Sequence, residues 1–330
     1  MRQEGRLVEW KDASIPLYDM GCGLGVRGYF SLLKTLRRIQ PDVVMSTLVY
    51  MNFLVLLLKP FFPETKFIVR EANMITVLEK GTRYPAFVRA TYRMVMKTAY
   101  RILYPCADLV ISQARCIYDE FRDYLGLDMR NHAILYNPVD TEKVRGNADL
   151  ADLVRDDFAV VQFVAAGRLQ RQKGFDRLIA ALGASQFPFP WRLDIYGEGI
   201  EQSALQGLID QNNLGGHVFL RGDNRDLWRT IAAADCFLMP SYWEGFPNVI
   251  LETLTAGTKV IAHREAGGIA EVESVSGALT IVPDMDAFIA KMAEVRPDIV
   301  SVMRQSLLSS RYNKETVTRE LEELIDGLYQ

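Results

Sequence analysis

The sequence predicts an α/β protein of two doubly wound domains with parallel sheets, and three observations carry that expectation. Short β-branched runs alternate with amphipathic helical stretches along most of the chain, the pattern of strands linked by crossover helices. The 330 residues make about two domains at roughly 150 residues each. A largely polar and charged stretch from Asn137 to Asp157 separates two such alternations, and it opens on Asn-Pro, a turn marker. The expected division is residues 1–150, residues 151–310 and a closing helical segment, 311–330. In such folds ligands bind at the carboxyl ends of the strands.

In chain order, the first half predicts strands Asp42–Met45, Lys66–Arg70, Leu109–Ser112 and Ala133–Tyr136. Its helices are expected near Gly28–Ile39, Tyr84–Leu103 and Arg115–Leu125. The second half predicts strands Val160–Ala166, Arg192–Tyr196, Val218–Arg221, Cys236–Met239 and Val260–Ala262. Helices near Phe175–Leu182, Gln202–Asn212, Arg225–Ala232 and Asn248–Thr255 fall between or after them. The apolar run Val43–Leu58 is broken by Ser46, Thr47 and Asn52 and falls short of the roughly 20 residues of a spanning helix. It reads as a buried strand, a loop, and a buried helix from about Tyr50.

Composition narrows the function classes. Apolar residues make up 49% and charged residues 24%, the balance of a globular chain. A net charge of −3 gives no overall attraction for nucleic acid, so nucleic acid is not an expected partner. Cys22, Cys106, Cys116 and Cys236 lack metal-ligand spacing and read as cytosolic thiols. The charged opening, Met1–Asp12, does not read as a signal peptide.

Two motifs carry chemistry. In Ser241-Tyr-Trp-Glu244-Gly245-Phe246-Pro247-Asn248-Val-Ile-Leu-Glu252, an apolar strand ends in Pro240 and Pro247 opens a helix, at a first helical position that needs no N–H. The loop then offers backbone amides and a positive helix end to an anion such as a pyrophosphate. Glu252 sits one to two turns into that helix, where a carboxylate accepts from vicinal hydroxyls such as those of a ribose. The second motif, Gly167-Arg168-Leu-Gln-Arg-Gln-Lys173-Gly174, follows a strand directly. Arg168 supplies a planar fork for phosphate oxygens and Lys173 a point charge. Together they can neutralise a departing nucleoside diphosphate with no metal ion and no other cofactor.

These blocks carry a family resemblance. Glu244 and Glu252, with Gly-Phe-Pro after the first, resemble the E-x7-E motif of the retaining glycosyltransferases of family 4 (glycosyl transferases group 1), which have the GT-B fold. The segment Gly167–Gly174 is similar to that family's phosphate loop, and Tyr196-Gly197-Glu198-Gly199 to its glycine loop near the nucleotide. Asn137-Pro-Val-Asp140, Ala233-Ala-Asp235 and Gly267-Gly-Ile-Ala-Glu271 stand in the expected order.

The resemblance implies two Rossmann-like domains facing across a cleft, with the donor held by the second. It implies a metal-independent hexosyltransferase that moves a sugar, with retention, from a nucleoside-diphosphate sugar to a glycan or lipid-linked acceptor in polysaccharide or lipopolysaccharide synthesis. Uridine is the commoner base. Arg168, Lys173 and Glu244 would be the catalytic groups. Gly167, Gly197, Glu198, Gly245, Phe246, Pro247, Asn248 and Glu252 would complete the donor site, and Arg311–Leu328 would pack back on the first domain. The competing readings are a non-catalytic or impaired nucleotide-sugar-binding partner and a sugar-nucleotide epimerase on the same fold.

Two departures from the family stand out. No apolar strand precedes Met20, so the first domain is expected to be reduced or the chain truncated. Arg70, Glu71 and Asn73 stand where many relatives place a histidine near the donor sugar. Gly21–Gly28 matches a dinucleotide-loop spacing without a preceding strand and reads as a flexible helix entry. Arg89, Arg93, Lys97 and Arg101 recur every four residues. They form either a solvated helical face or a stripe touching anionic lipid headgroups on the cytoplasmic face of a membrane. His132 and His217 read as structural, whereas His263, at a strand end, is a candidate ligand contact.

Overall fold

The computed structural model describes residue 16 and residues 25–76, 85–146, 159–298 and 304–330. Gly21 and Gly23 of the opening glycine run and most of the polar junction lie outside these. So does the stretch before Met20, Pro16 apart. Tertiary contacts divide the chain into two compact units. The first comprises Met1–Glu71, Tyr84–Ile111 and Met129–His132, and the second Ala72–Arg83, Ser112–Asp128 and Ala133–Gln330.

The first unit is built on a four-stranded sheet in the order β1 (Val43–Thr47), β2 (Lys66–Glu71), β3 (Leu109–Ser112), β4 (His132–Ile134). The strands β1 and β2 run parallel with Val43 opposite Lys66. The last residue of β3 and the last two of β4 count with the second unit. Its helices are α1 (Val26–Ile39), α2 (Val49–Leu58) and α3 (Ala86–Leu103). The run Val43–Leu58 is a strand and a helix joined through Leu48 alone, at φ 78. No helix among the described residues is long and apolar enough to cross a membrane. The polar residues that interrupt the run are structural. Asn52 is fully buried; its Oδ1 accepts from Ser46 Oγ at 2.8 Å, and its Nδ2 donates to Glu71 Oε1 and the Arg70 carbonyl, each at 3.0 Å. Buried polar groups of this kind are tolerated only when paired.

The second unit carries six strands: β5 (Val161–Ala166), β6 (Trp191–Tyr196), β7 (Val218–Gly222), β8 (Cys236–Met239), β9 (Lys259–His263) and β10 (Leu279–Val282). They lie in the order β7-β6-β5-β8-β9-β10, and every pairing is parallel. The helices of this unit are α4 (Arg115–Asp123), α5 (Thr141–Gly146), α6 (Phe175–Gly183), α7 (Gln202–Gln211), α8 (Leu227–Ala233), α9 (Asn248–Thr255), α10 (Met285–Glu294) and α11 (Lys314–Asp326). Phe163, Ile179, Leu193, Ile195, Leu238 and Phe288 are buried to 1% exposure or less in one apolar cluster. Each such side chain contributes about 1.5–3 kcal/mol. Chain order reverses between β5 and β8, which makes the gap beyond their carboxyl ends the switch point where doubly wound sheets bind ligands.

The expected strands and helices are present with ends shifted by up to two residues, except the closing helical segment expected over 311–330, whose α-helix spans Lys314–Asp326. The exceptions are instructive. Pro247 is the N-cap of α9, not its first helical residue, and Asn248 takes that place. The elements β10, α5 and α10 are additions. The last of these announces itself through Asp284, whose carboxylate accepts from the Ala287 N–H at 2.8 Å, an ordinary N-cap. The C-terminal segment meets the Asn137–Asp140 stretch. Val139 N–H donates to the Tyr312 carbonyl at 2.8 Å, and Lys314 N–H returns to the Val139 carbonyl at 3.1 Å.

Candidate functional site

The loops after β5 and β8 meet at the switch point because glycine lets their neighbours come close. Gly197, after β6, has φ +131, and a Cβ there would stand 2.0 Å from the Gly167 carbonyl oxygen. The Gly167 N–H in turn donates to the Tyr196 carbonyl at 2.9 Å, so the turn after β5 and the turn after β6 are one packed unit. Gly174, at φ +67, approaches Pro240 equally closely. This seats the start of α6 against the loop after β8.

A cavity of about 490 Å³ opens here. Among its lining residues are Gly167, Lys173, Glu244, Gly245 and Asn248, with Glu252 also on its wall. A neighbouring cavity of about 340 Å³ is lined by Arg168, Gly197 and Glu198 among others. The two share Ala166, Gly167 and Leu227. The structure thus gathers Lys173, Glu244, Glu252 and the Gly245–Asn248 loop, and sets Arg168 next door with the glycine turn. A larger space of about 700 Å³ lies by Asp235 and Lys259, at the amino ends of β8 and β9. It holds none of the expected site residues.

The loop after β8 is held from several sides. Glu244 is buried and accepts from Lys173 Nζ at 2.8 Å, Ser241 Oγ at 3.0 Å and Gln172 Nε2 at 3.1 Å. Gly268 N–H donates to the Gly245 carbonyl at 2.9 Å. Arg177, four residues beyond Lys173, donates to the Pro240 and Ser241 carbonyls at 2.6 and 2.5 Å. It also pairs with Glu265 at 2.7 Å and stacks 4.0 Å from the Tyr242 ring centroid. The first-turn amides of α9 have no intrahelical acceptor, and the helix adds a partial positive charge there. Glu252 accepts from the Trp228 indole N–H, and burial raises its carboxyl above the ordinary carboxylate range.

Residues outside the expected set also line the cavity. Gln113 is buried and donates to the Ala72 carbonyl. Asn137 Nδ2 donates to Asn248 Oδ1 at 2.5 Å. Of the three residues standing where relatives carry histidine, Asn73 lines the cavity. Glu71 is buried in the first unit, where the Tyr104 hydroxyl donates to it, and burial lowers the Arg70 guanidinium. His263 is not in the cavity lining. It is buried, its Nδ1 accepts from the Glu265 N–H at 3.2 Å, and burial lowers its pKa. His217 stacks on Trp191 and donates to its carbonyl at 3.0 Å, and burial pushes His132 down to about 4. Glu271, noted only as part of a motif, accepts from the Arg115 and Cys116 N–H groups and so caps α4.

The arrangement suits an extended anionic ligand. It offers a cation on each side of Gly167, a helix N-terminus, and a carboxylate on the helix behind. Among the described residues no group of three or more His, Cys, Asp or Glu could hold a metal ion.

Comparison with known proteins gives this geometry a context. Residues 159–298 match the family model described as glycosyl transferases group 1. One relative is the N-acetylgalactosamine-N,N'-diacetylbacillosaminyl-diphospho-undecaprenol 4-alpha-N-acetylgalactosaminyltransferase of Campylobacter jejuni. It is 26% identical over 67% of this chain and 57% of its own length. Another is the UDP-Gal:alpha-D-GlcNAc-diphosphoundecaprenol alpha-1,3-galactosyltransferase of Escherichia coli, 24% identical over 72% of this chain and 65% of its own. The chain therefore spans less than two thirds of the length of these curated relatives. Among solved structures, Anabaena HepE in complex with UDP and glucose superposes with a TM-score of 0.71. It is 20% identical, over 92% of this chain and 84% of its own. Sucrose-phosphate synthase from Thermosynechococcus elongatus gives 0.73 at 19% identity, over 92% and 77%. The chain has the GT-B fold of these glycosyltransferase neighbours.

Proposed function

We propose that this chain, whose residues 159–298 match the group 1 glycosyl transferases, is a retaining glycosyltransferase. It would use a nucleoside-diphosphate sugar, UDP-linked in our reading, to extend a glycan or lipid-linked acceptor. The observation that carries the proposal is the cavity at the β5/β8 switch point, where Lys173 and Glu244 sit beside the N-terminus of α9 and Glu252 lies on the same helix. The UDP and glucose named for HepE and the UDP-galactose and diphosphoundecaprenol acceptor named for the E. coli relative motivate the donor and acceptor classes.

In this account Arg168 and Lys173 bracket the diphosphate from either side of Gly167, and the α9 amides take further phosphate oxygens. Glu252 accepts from the ribose hydroxyls. As the bond between the sugar's anomeric carbon and the diphosphate oxygen breaks, the two cations and the helix end offset the charge growing on the leaving group. The acceptor hydroxyl oxygen bonds to the same carbon on the same face, and its proton passes to the departing phosphate oxygen. The nucleoside diphosphate leaves with that proton. Glu244 and Glu252 are the carboxylates lining the cavity. Glu244 is engaged by Lys173, Gln172 and Ser241, which suits a group that holds the donor rather than a nucleophile.

The test is incubation with UDP-sugars and lipid-linked or glycan acceptors, with the anomeric configuration of the product read by NMR. Transfer with retention is expected. An inverted product would overturn the mechanism, and tight nucleotide binding without any turnover would favour a non-catalytic binding partner.

A further inference from the structure

The residues that follow β2 are held by the second unit. Ala72–Thr76 lies in that unit together with Ser112–Asp128, and two side chains of the latter segment fasten it. Gln113, just after β3, donates through Nε2 to the Ala72 carbonyl. Glu120, on α4, accepts from the Ile75 N–H at 2.5 Å and from the Thr76 hydroxyl. Gln113 and Glu120 are 6% and 8% exposed. A buried carboxylate is tolerated when its oxygens are satisfied, and here each oxygen binds this one short loop.

The fastened loop abuts the loop after β8. The Ala72 carbonyl lies so close to Gly245 that a Cβ there would collide with it. Between the two fastenings stands Asn73. It is exposed and lines the cavity, and its carboxamide has no hydrogen-bond partner among the described residues. Gln113 lines the same cavity, and its Oε1 is likewise without a partner among them. A free carboxamide offers donors and an acceptor, and an amide oxygen an acceptor alone; both suit the hydroxyl and acetamido groups of a sugar. The charged residues of the lining are Lys173, Glu244 and Glu252. Lys173 is paired with Glu244 and, in our reading, also serves the diphosphate. Among the described lining residues no further cation is left for a second acid group.

From this arrangement we infer that the Ala72–Thr76 loop selects a neutral donor sugar, a hexose or N-acetylhexosamine rather than a uronic acid, with Asn73 and Gln113 Oε1 as its hydrogen-bond partners and Glu120 as a positioning residue. The inference rests on the reading of the cavity as a nucleotide-sugar site. A uronate carboxylate there would meet an amide oxygen and two carboxylates with no cation to pair it, and an unpaired desolvated charge is disfavoured. Selectivity of this kind comes from exclusion as much as from fit.

Dissociation constants of the full chain are measured by titration calorimetry for UDP, UDP-glucose, UDP-galactose, their N-acetylated forms and UDP-glucuronic acid, with donor turnover beside them. At least one neutral UDP-sugar should bind about tenfold or more tighter than UDP-glucuronic acid. Asn73→Ala should weaken that sugar about threefold to tenfold and leave UDP itself unchanged. Asn73→Arg supplies a fork for a carboxylate and should narrow or reverse the preference. Glu120→Ala should reproduce the Asn73→Ala loss, and the two should be less than additive in the double variant. Glu120→Gln should restore binding, because its carbonyl can accept from the Ile75 N–H and its amide can donate to the Thr76 hydroxyl. Asn73 is exposed, so its variants should melt like the wild type and carry the test if Glu120→Ala unfolds. A wild-type preference for UDP-glucuronic acid would overturn the inference, as would a sugar preference indifferent to Asn73. Glu120→Ala lowering the melting temperature alone would remove its positioning role. An Asn73-dependent preference without transfer to any acceptor keeps this inference and removes the transfer reading. Transfer indifferent to Asn73 does the reverse, and failure of UDP to bind removes both.

Discussion

Lys173 Nζ lies 2.8 Å from Glu244 Oε1, joining two loops 71 positions apart in sequence, with both side chains under one fifth exposed. The pair locks the loop after β8 onto the turn after β5, and it also places a cation and a carboxylate where the donor's diphosphate and sugar are proposed to lie. Removing one partner leaves the other largely desolvated. Lys173→Ala should therefore cost about 2–3 kcal/mol in stability, somewhat below the roughly 3–5 kcal/mol of a fully buried pair. Turnover should drop by about 10² or more. In a double-mutant cycle with Glu244→Gln the two losses should be clearly less than additive, as read by denaturant unfolding and initial rates.

Glu252 should show opposed effects on stability and binding. Burial raises its folded pKa, and the Trp228 indole offsets this only in part. A carboxyl whose pKa is raised on folding binds its proton more tightly when folded, so its contribution to stability falls as pH rises from the unfolded pKa through the folded one. Glu252→Gln should accordingly raise the melting temperature at neutral pH and leave it unchanged well below the ordinary carboxylate range. Affinity for UDP at neutral pH should fall about tenfold or more, the scale of a lost charged hydrogen bond. Melting curves at the two pH values, with titration calorimetry, read both effects.

Two glycines at positive φ should respond differently to alanine. At Gly222 (φ +68) nothing lies within 4 Å of an added Cβ, whereas at Gly197 the Gly167 carbonyl stands 2.0 Å away. Gly222→Ala should cost about 1 kcal/mol, the strain of a left-handed alanine. Gly197→Ala should cost several times more, because backbone must move, and it should lower nucleotide affinity by separating the two turns. Urea unfolding and calorimetry would distinguish them.

Arg177 should act as a positioning residue. It holds the Pro240 and Ser241 carbonyls and stacks on Tyr242, upstream of Glu244, and it is not in the cavity lining. Arg177→Ala should lower kcat about tenfold or more with a small change in nucleotide affinity, and Arg177→Lys should recover little, since a point charge cannot reproduce the planar fork. Steady-state kinetics alongside UDP titration would separate this from a direct binding role.

The sequence made the strand–loop–helix blocks legible because their punctuation is local. Pro240, Pro247 and Gly257 bracket one block, and Gly167 and Gly174 the other. What stayed hidden depends on contacts through space. Nothing near Arg177 in sequence announces that it grips Pro240, and the Lys173–Glu244 pairing exists only once β5 and β8 lie side by side. Gln113 and Asn73 reach the cavity wall from distant segments. His263 looked available from its place at a strand end, but the Glu265 N–H and burial claim it. The additions β10 and α10 follow a weaker apolar pattern, although Asp284 was a readable start signal.

The most direct test of the account is a crystal structure of the chain with UDP. The account predicts the diphosphate at the N-terminus of α9, within reach of Arg168 and Lys173, and the ribose hydroxyls on Glu252. UDP bound elsewhere, for instance in the space beside Asp235 and Lys259, or a ribose with no contact to Glu252, would contradict it.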